Sequence, residues 1–234
     1  MKGLIRVIGG RMNPNQLNQA VARPRSAAIE VNNVLKNTYI LLSLTLLFCA
    51  ATAGMSMAFG WPYPGIIVTL VGYYGLLFLT TKFRNSALGL VFVFALTGFM
   101  GLTLGPIVSA YIKFLPNGSQ LVMTAMGATG IIFLGLSGYA LVSRKDFSFM
   151  AGFLFAGILI AFLAGLGAAV FHIPALSLAV SAMFVLLMSG LILFETSQII
   201  HGGETNYIMA TITLFVAIYN LFLSLLQLLG NFRQ

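Results

Sequence analysis

Seven apolar segments follow one another from residue 38 to residue 230, and they decide what this chain can fold into. Each is close to the 20 or so residues that a helix needs to cross the hydrocarbon core of a bilayer. Helices are the expected structure because lipid offers the backbone no hydrogen-bond partners. The sequence therefore predicts an all-α integral membrane protein, a bundle of seven transmembrane helices. The segments lie at residues 38–60, 64–81, 86–112, 119–142, 147–171, 176–200 and 207–230.

The composition leaves no room for a water-soluble surface. Hydrophobic residues make up 59% of the 234 residues and charged residues 7%, whereas soluble domains carry about 25% charged residues. The net charge is +8, but the basic residues sit in the N-terminal tail and in short connections rather than in a cluster with aromatic residues. We therefore expect the lipid bilayer, and no nucleic acid, as a partner.

The first 33 residues are expected to form a basic tail ahead of the apolar segments. Pro14 and Pro24 are expected to break any long helix in it. The sequence predicts two parts, a disordered cytosolic tail at 1–33 and a seven-helix transmembrane domain at 34–234. A mitochondrial presequence is the alternative for the tail, because it is basic and poor in acids. Its charged residues are Lys2, Arg6, Arg11, Arg23 and Arg25, with the single acid Glu30.

Lysine and arginine are distributed unevenly over the connections that join the apolar segments. The second connection carries Lys82 and Arg84 and the fourth carries Arg144 and Lys145, whereas the first and fifth carry none and the third has only Lys113. Basic connections stay on the cytoplasmic side of a membrane. The N-terminus is therefore predicted inside and, after seven crossings, the C-terminus outside. The connections are too short to hold a folded domain.

Glu195 is the only carboxylate inside an apolar segment. Ionisable groups at membrane depth are costly, which makes this residue the first functional candidate. It lies about five residues, or roughly 7–8 Å, from the inner end of the sixth segment. Its carboxylate either snorkels to the cytosolic interface or is buried and responds to pH or binds a cation.

Other polar residues share faces with this candidate. Gln198 lies one turn after Glu195. A stripe of polar and small residues also runs along the seventh segment, and we expect it to pack on the bundle and to hydrogen-bond to Glu195. Hydrogen bonding between helices for its own sake is the alternative. The stripe consists of Thr213, Ala217, Asn220, Ser224 and Gln227.

Glycines are expected to set the helix packing. Gly101 and Gly105 form a small-xxx-small pattern that lets two helix backbones approach closely. Pro106 is expected to kink the third segment where a neighbour satisfies the freed carbonyl. Tight packing is also the expected role of the glycines that crowd the fourth and fifth segments. These are Gly127, Gly130, Gly135, Gly138, Gly152, Gly157, Gly165 and Gly167.

The turn between the last two segments has ordinary helix-end chemistry. His201, Gly202 and Gly203 are predicted to end the sixth helix, and residues 204–206 are predicted to begin the seventh. No serine or threonine is placed with a histidine and a carboxylate for a triad. Two histidines, one cysteine and four acids spread over both sides are too few for a zinc site. We expect no catalytic residue, no metal and no cofactor.

Several of these stretches resemble the Bax inhibitor-1 (TMBIM) family of seven-helix membrane proteins. Others are similar to the bacterial inner-membrane branch of that family, which modulates the FtsH protease. The resemblance covers the chain from about residue 34 onward. The first group consists of 101–106, 125–133 with Thr129, 193–196 and 220–223, and the second of 34–45, 144–149 and 194–207.

The bacterial branch implies that the chain binds and inhibits the membrane-bound AAA protease FtsH and its membrane-associated assembly. The resemblance also implies that the cytosolic tail is the segment that the protease engages. We therefore expect a non-enzymatic inhibitor that acts through its transmembrane bundle and its tail. Its expected location is the bacterial inner membrane, with a cytoplasmic N-terminus and a periplasmic C-terminus.

The wider family implies an alternative, a pH-sensitive calcium leak with weak binding of calcium or protons. In that family a pair of acidic residues on the sixth and seventh helices gates the leak. Glu195 matches the first acid, but the second falls on Ala217, which has no charge. One carboxylate is not enough for a pair that shares a proton.

Overall fold

Seven α-helices make up the computed structural model, which describes the backbone of residues 14–231 and the side chains of residues 29–231. The predicted all-α bundle is confirmed. Six of these helices are long and apolar enough to span a membrane. The remaining helix, α2, is shorter, with 17 residues and a length of about 26 Å. The elements are α1 (Pro14–Ala58), α2 (Ile66–Lys82), α3 (Ala87–Phe114), α4 (Gly118–Ser143), a 3-10 turn (Ser148–Met150), α5 (Ala151–Val170), α6 (Pro174–His201) and α7 (Tyr207–Asn231).

Helix α1 begins earlier than the sequence predicts. It starts at Pro14 and continues through Pro24, so the expectation that these prolines break any long helix is wrong. Pro24 removes one backbone hydrogen bond of the helix, and α1 continues past it. The apolar span of α1 lies within residues 29–58, the part whose side chains are described, and residues 14–28 precede it as a helical extension. Residues 1–13 of the predicted tail lie outside the described residues.

Helix α7 is the centre of the bundle. It packs against α1, α3, α4 and α6, and three apolar clusters include residues from successive parts of it. Phe215 belongs to the first cluster, Leu221 to the second and Leu226 to the third, and all three are fully buried. Within the predicted stripe, Ala217 and Ser224 are buried, so this face of α7 is turned towards other helices.

Helices α1 and α3 meet at the small-xxx-small pattern. A Cβ atom added to Gly101 would collide with the Thr52 hydroxyl and the Cys49 carbonyl. A Cβ atom added to Gly105 would lie 2.7 Å from the carbonyl oxygen of Ala53. The predicted close approach of two backbones is confirmed, and α1 is the partner.

Helix α3 continues without interruption through Pro106. Because proline has no N–H, the carbonyl of Leu102 loses its helical partner. The hydroxyl of Ser56 on α1 donates a hydrogen bond to this carbonyl at 2.9 Å. A neighbouring helix thus satisfies the freed carbonyl, as the sequence predicts.

The glycines of α4 do not pack as expected. A Cβ atom on any of the four would meet nothing within 4 Å, so the expectation of tight packing is wrong for this helix. The reason is that α4 packs through a different face, on which Leu121 and Ala125 contact the cluster around α7. In α5, Gly157 and Gly165 face α6, whereas Gly152 and Gly167 face open space. The four glycines of α4 are Gly127, Gly130, Gly135 and Gly138.

The two basic connections lie at the same end of the bundle. The Asn206 side chain, in the α6–α7 turn, donates a hydrogen bond to the carbonyl of Arg84 at 3.2 Å. His201 Nε2 lies 3.1 Å from the carbonyl oxygen of Arg144. The predicted grouping of basic connections therefore agrees with the fold. That this end faces the cytoplasm stays a prediction.

Candidate functional site

Glu195 lies on the face of α6 that is turned into the bundle. Its side chain is 6% exposed, and Ile192 and Ile199, about one turn away on either side, are fully buried. Its Oε1 atom has no hydrogen-bond partner among the described residues. The snorkelling alternative is wrong, because this carboxylate is buried within the bundle rather than extended to its end.

Two buried side-chain oxygens of α1 also lack a hydrogen-bond partner among the described residues, and they lie at the same depth in the bundle as Glu195. They are Thr38 Oγ1 and Tyr39 OH. A Cβ atom added to Gly202 at the end of α6 would lie 4.0 Å from Val31 Cγ2 of α1. Because α1 and α6 run in opposite directions, Thr38, two turns after Val31, is level with Glu195, two turns before Gly202. We call these three residues, Thr38, Tyr39 and Glu195, the unpartnered layer.

The unpartnered layer has neighbours whose hydroxyls are already engaged. Thr211 Oγ1 on α7 donates to the carbonyl of Tyr207 at 2.7 Å and lies 3.3 Å from the carbonyl oxygen of Thr38. Thr196 Oγ1, next to Glu195, lies 3.4 Å from Ser137 Oγ on α4. Each buried polar group without a partner costs about 1–3 kcal/mol. This layer is therefore the place in the bundle where a water molecule, a proton or a cation would gain most by binding.

The other predicted site residues do not assemble around Glu195. Gln198 Nε2 donates to Ser148 Oγ at 2.8 Å, at the end of the bundle. Thr213 and Asn220 each hydrogen-bond to a carbonyl of their own helix. We expected a hydrogen bond from the α7 stripe to Glu195, but among the described residues no side chain of the stripe donates to Glu195 Oε1. Glu195 and these three residues thus form no common site.

The register of α6 and α7 explains this difference. Thr211 Oγ1 of α7 lies 3.3 Å from the carbonyl oxygen of Thr38, and Thr38 is level with Glu195, so Glu195 lies about one turn into α7, near Thr211. Asn220 lies nine residues farther along α7, or about 14 Å. Residue spacing gives the face of each helix but not which turns of two helices are level.

The α7 stripe meets α6 at the opposite end. Gln227 Oε1 accepts a hydrogen bond from Ser181 Oγ at 2.8 Å, and Gln227 Nε2 donates to Ser177 Oγ. Ala217 is fully buried in an apolar cluster with Ile192. The alternative of interhelical hydrogen bonding is thus confirmed at Gln227, and the position of the second family acid is filled by apolar packing.

A clamp that sequence reasoning missed joins the α4–α5 connection to the end of α6. Ser197 Oγ accepts a hydrogen bond from the backbone N–H of Phe147 at 3.0 Å and donates to the carbonyl of Lys145 at 3.2 Å. His201 lies against the carbonyl of Arg144. A serine inside an apolar helix gives no signal of this role, because its partners are backbone groups 50 or more residues away.

The turn after this clamp has the predicted caps. Gly202 adopts a left-handed φ of 74°, and the N–H of Gly203 donates to the carbonyl of Gln198 at 2.8 Å. This pattern is a Schellman cap. Asn206 Oδ1 accepts a hydrogen bond from the N–H of Ile208 at 3.0 Å and so caps α7. The predicted helix end and helix start are both confirmed.

Asp146 orders the α4–α5 connection. Its Oδ1 accepts hydrogen bonds from the hydroxyl and from the N–H of Ser148, the latter at 2.8 Å. These two bonds, with the hydroxyl contributing more, lower the pKa of Asp146 from its ordinary value. The carboxylate form is thus the one that shapes this exposed connection.

Thr129 has a structural role in α4. It is buried, and its hydroxyl donates to the carbonyl of Ala125 at 2.7 Å. Together with Phe133 and Tyr219 it lines an apolar cleft of about 420 Å³ between α1, α3, α4 and α7.

Comparison with known proteins gives a consistent result over almost the whole chain. A family model described as "Inhibitor of apoptosis-promoting Bax1" matches residues 31–234. A protein of Escherichia coli strain K12, named "Modulator of FtsH protease YccA", is 51% identical over 207 residues, which are 88% of this chain and 93% of that protein. The same identity and shares hold for a protein of a second Escherichia coli strain, named "Inner membrane protein YccA". An uncharacterised protein of Pseudomonas aeruginosa is 55% identical over 215 residues, 92% of this chain and 95% of the relative.

Proposed function

Because this chain belongs to the Bax inhibitor-1 family, we propose that it is a modulator of the membrane protease FtsH in the bacterial inner membrane. The observation that carries this proposal is the 51% identity to a relative named for that activity, over 93% of the relative's length. Such coverage includes all seven helices, so the likeness is not confined to one motif.

The proposed action is inhibition by binding rather than by chemistry. The connections between the described helices hold from three residues (115–117) to seven (59–65), which leaves no room for a catalytic domain. The segment free to reach a cytosolic protease is the stretch before the membrane span. Its helical part, residues 14–28, is about 22 Å long and carries Arg23 and Arg25.

The tail can be removed without touching the bundle. Among the residues of α1 whose side chains are described, 29–58, the first buried one is Val34, and Ile29 and Glu30 are exposed. A variant that lacks residues 1–30 should therefore insert and fold. Pulse-chase turnover in cells with and without FtsH should show that the full chain is degraded by the protease and the truncated chain is not.

A full-length control separates charge from length. Replacing the five basic residues of the tail by glutamine keeps its length and removes its charge. If the protease engages the tail as an accessible polypeptide end, this control is still degraded and the truncated form is stable. Unchanged turnover of the truncated form would contradict the proposed role of the tail. The five residues are Lys2, Arg6, Arg11, Arg23 and Arg25.

The unpartnered layer supports a second candidate function, a pH-dependent cation leak. Glu195 is a buried carboxylate with an unpartnered Oε1 at membrane depth, and such groups mark ion and proton pathways. The test is calcium flux into liposomes between about pH 5 and 8. Glu195→Gln should abolish the pH dependence of the flux, whereas the control Glu204→Gln should retain it.

Ala217→Asp restores the second acid of the family at the position that the resemblance assigns to it. If Glu195 takes part in a leak, this variant should strengthen the flux and its dependence on pH. Absence of flux from the wild type and from Ala217→Asp at every pH would reject the leak. The proposal of protease modulation does not depend on that result.

A further inference from the structure

A cleft on the side of the bundle away from α1 has no role in the proposed function. It has a volume of about 440 Å³ and lies between α2, α3, α5, α6 and α7, within the range of about 300–1,000 Å³ that is usual for small-molecule sites. Met188 and Val216 are part of its inner wall. Met188 is 2% exposed, so this wall is deep in the bundle.

The cleft opens sideways between α2 and α5. Phe155 and Leu159 of α5 line it and are 73% and 48% exposed. Across the opening, Tyr74 of α2 contacts Phe162 of α5 edge-on, with ring centroids 6.1 Å apart. Because both helices are apolar segments of a membrane bundle, the medium outside this opening is lipid hydrocarbon.

The hydroxyl and amide donors that α3 and α7 contribute to the inner wall already hydrogen-bond within the bundle. Tyr219 OH donates to the carbonyl of Met100 at 3.3 Å, and Thr103 Oγ1 donates to the same carbonyl at 2.9 Å. The Asn220 amide donates to the carbonyl of Val216 at 2.9 Å. These donors therefore need no polar ligand, and beside them the inner wall presents apolar side chains such as Met188 and Val216. An apolar occupant would regain the dispersion contacts that an empty cleft forfeits.

The end of the cleft near the α1–α2 connection is different. Thr69 Oγ1 donates its single proton to the carbonyl of Gly65 at 2.8 Å and lies 3.3 Å from Tyr63 OH. Tyr63 is 44% exposed, so its hydroxyl proton can turn away from Thr69 towards an acceptor outside the bundle. Next to it, Trp61 is also exposed, as aromatic residues at the membrane interface are.

We propose that this cleft binds one acyl chain of a phospholipid from the leaflet on the side of the α1–α2 connection. The chain enters between α2 and α5 and reaches Met188, and the Tyr63 hydroxyl donates to an ester carbonyl of the same lipid. This arrangement matches an apolar interior with a hydrogen-bond donor at one end. It goes beyond protease modulation and does not depend on it.

The test uses a phospholipid with a diazirine at the end of one acyl chain. The full-length protein is reconstituted in vesicles of this lipid, irradiated, digested and mapped by mass spectrometry. The expected result is adducts on Met188 and Val216 of the inner wall, as well as on Ile160, which faces lipid. If the wild-type protein carries adducts on Ile160 but none on the inner wall, that result by itself overturns the proposal.

Two plugged variants sharpen the result. Leu159→Trp narrows the opening from α5 and Leu70→Trp narrows it from α2, so a failure of one to fold leaves the other. In each folded variant the adducts on Met188 should be lost while those on Ile160 remain. The matched control Ile160→Trp changes the neighbouring residue of α5 and should keep the Met188 adducts. Inner-wall adducts that persist in a folded plugged variant would also overturn the proposal.

Discussion

Helices α3 and α4 are both rich in glycine, but they use it in opposite ways. At Gly101 and Gly105 of α3 there is no space for a Cβ atom, because the backbone of α1 lies against them. At Gly130 and its three companions in α4 the space is open. Glycine spacing therefore shows that one face of a helix is flat, and only the fold shows whether another helix uses that face.

The largest effect is expected at the α1–α3 contact. Gly101→Val places a branched side chain where Thr52 and the Cys49 carbonyl already lie, and overpacking of this kind costs about 1–3 kcal/mol or more. Thermal unfolding in detergent should show a clear loss of stability. The matched control Gly130→Val should show a much smaller change. Equal losses in the two variants would contradict the difference between the helices.

A second test uses the hydrogen bond that Ser56 of α1 donates to the Leu102 carbonyl of α3. Ser56→Ala leaves the carbonyl of Leu102 without a partner, which costs about 1–3 kcal/mol. Adding Pro106→Ala restores an N–H within α3 that can bond this carbonyl. The double variant should therefore be more stable than Ser56→Ala alone. If the two substitutions lower the melting temperature independently, the hydroxyl does not compensate for the proline.

A gain is expected on the open face of α4. Replacing glycine by alanine within a helix stabilises it by roughly 0.5–1 kcal/mol when nothing obstructs the methyl group. Gly127→Ala, Gly130→Ala and Gly135→Ala should each raise the melting temperature slightly. A loss of stability in any of them would show that another surface covers this face.

The smallest effect is expected at the exposed α4–α5 connection, where no glycine packing is involved. The pKa of Asp146 is lowered by its bonds to Ser148. Its stabilising contribution is therefore complete above the ordinary aspartate pKa of about 3.9 and is lost as the pH falls through the lowered value. Hydrogen exchange of residues 146–148 should increase in that acidic range. Asp146→Ala should show the faster exchange already at neutral pH, and an unchanged rate would contradict the role of this carboxylate.

The sequence predicted those features that depend on one helix at a time. The apolar segments, the cap at Gly202 and the flat face at Gly101 follow from local backbone chemistry and side-chain size. Register between helices is not local, and so Glu195 was expected opposite the α7 stripe although it lies near Thr211. The helical extension of residues 14–28 is not predicted, because proline favours a break in a helix, whereas α1 continues through Pro24.

The most direct test of the proposed function measures FtsH activity itself. FtsH and a membrane-protein substrate are reconstituted in proteoliposomes with increasing amounts of this protein, and the rate of substrate degradation is followed. The full chain should slow degradation in proportion to its amount, and the form without residues 1–30 should slow it less. A degradation rate that is the same with and without the full chain, at every ratio to the protease, would contradict the proposal.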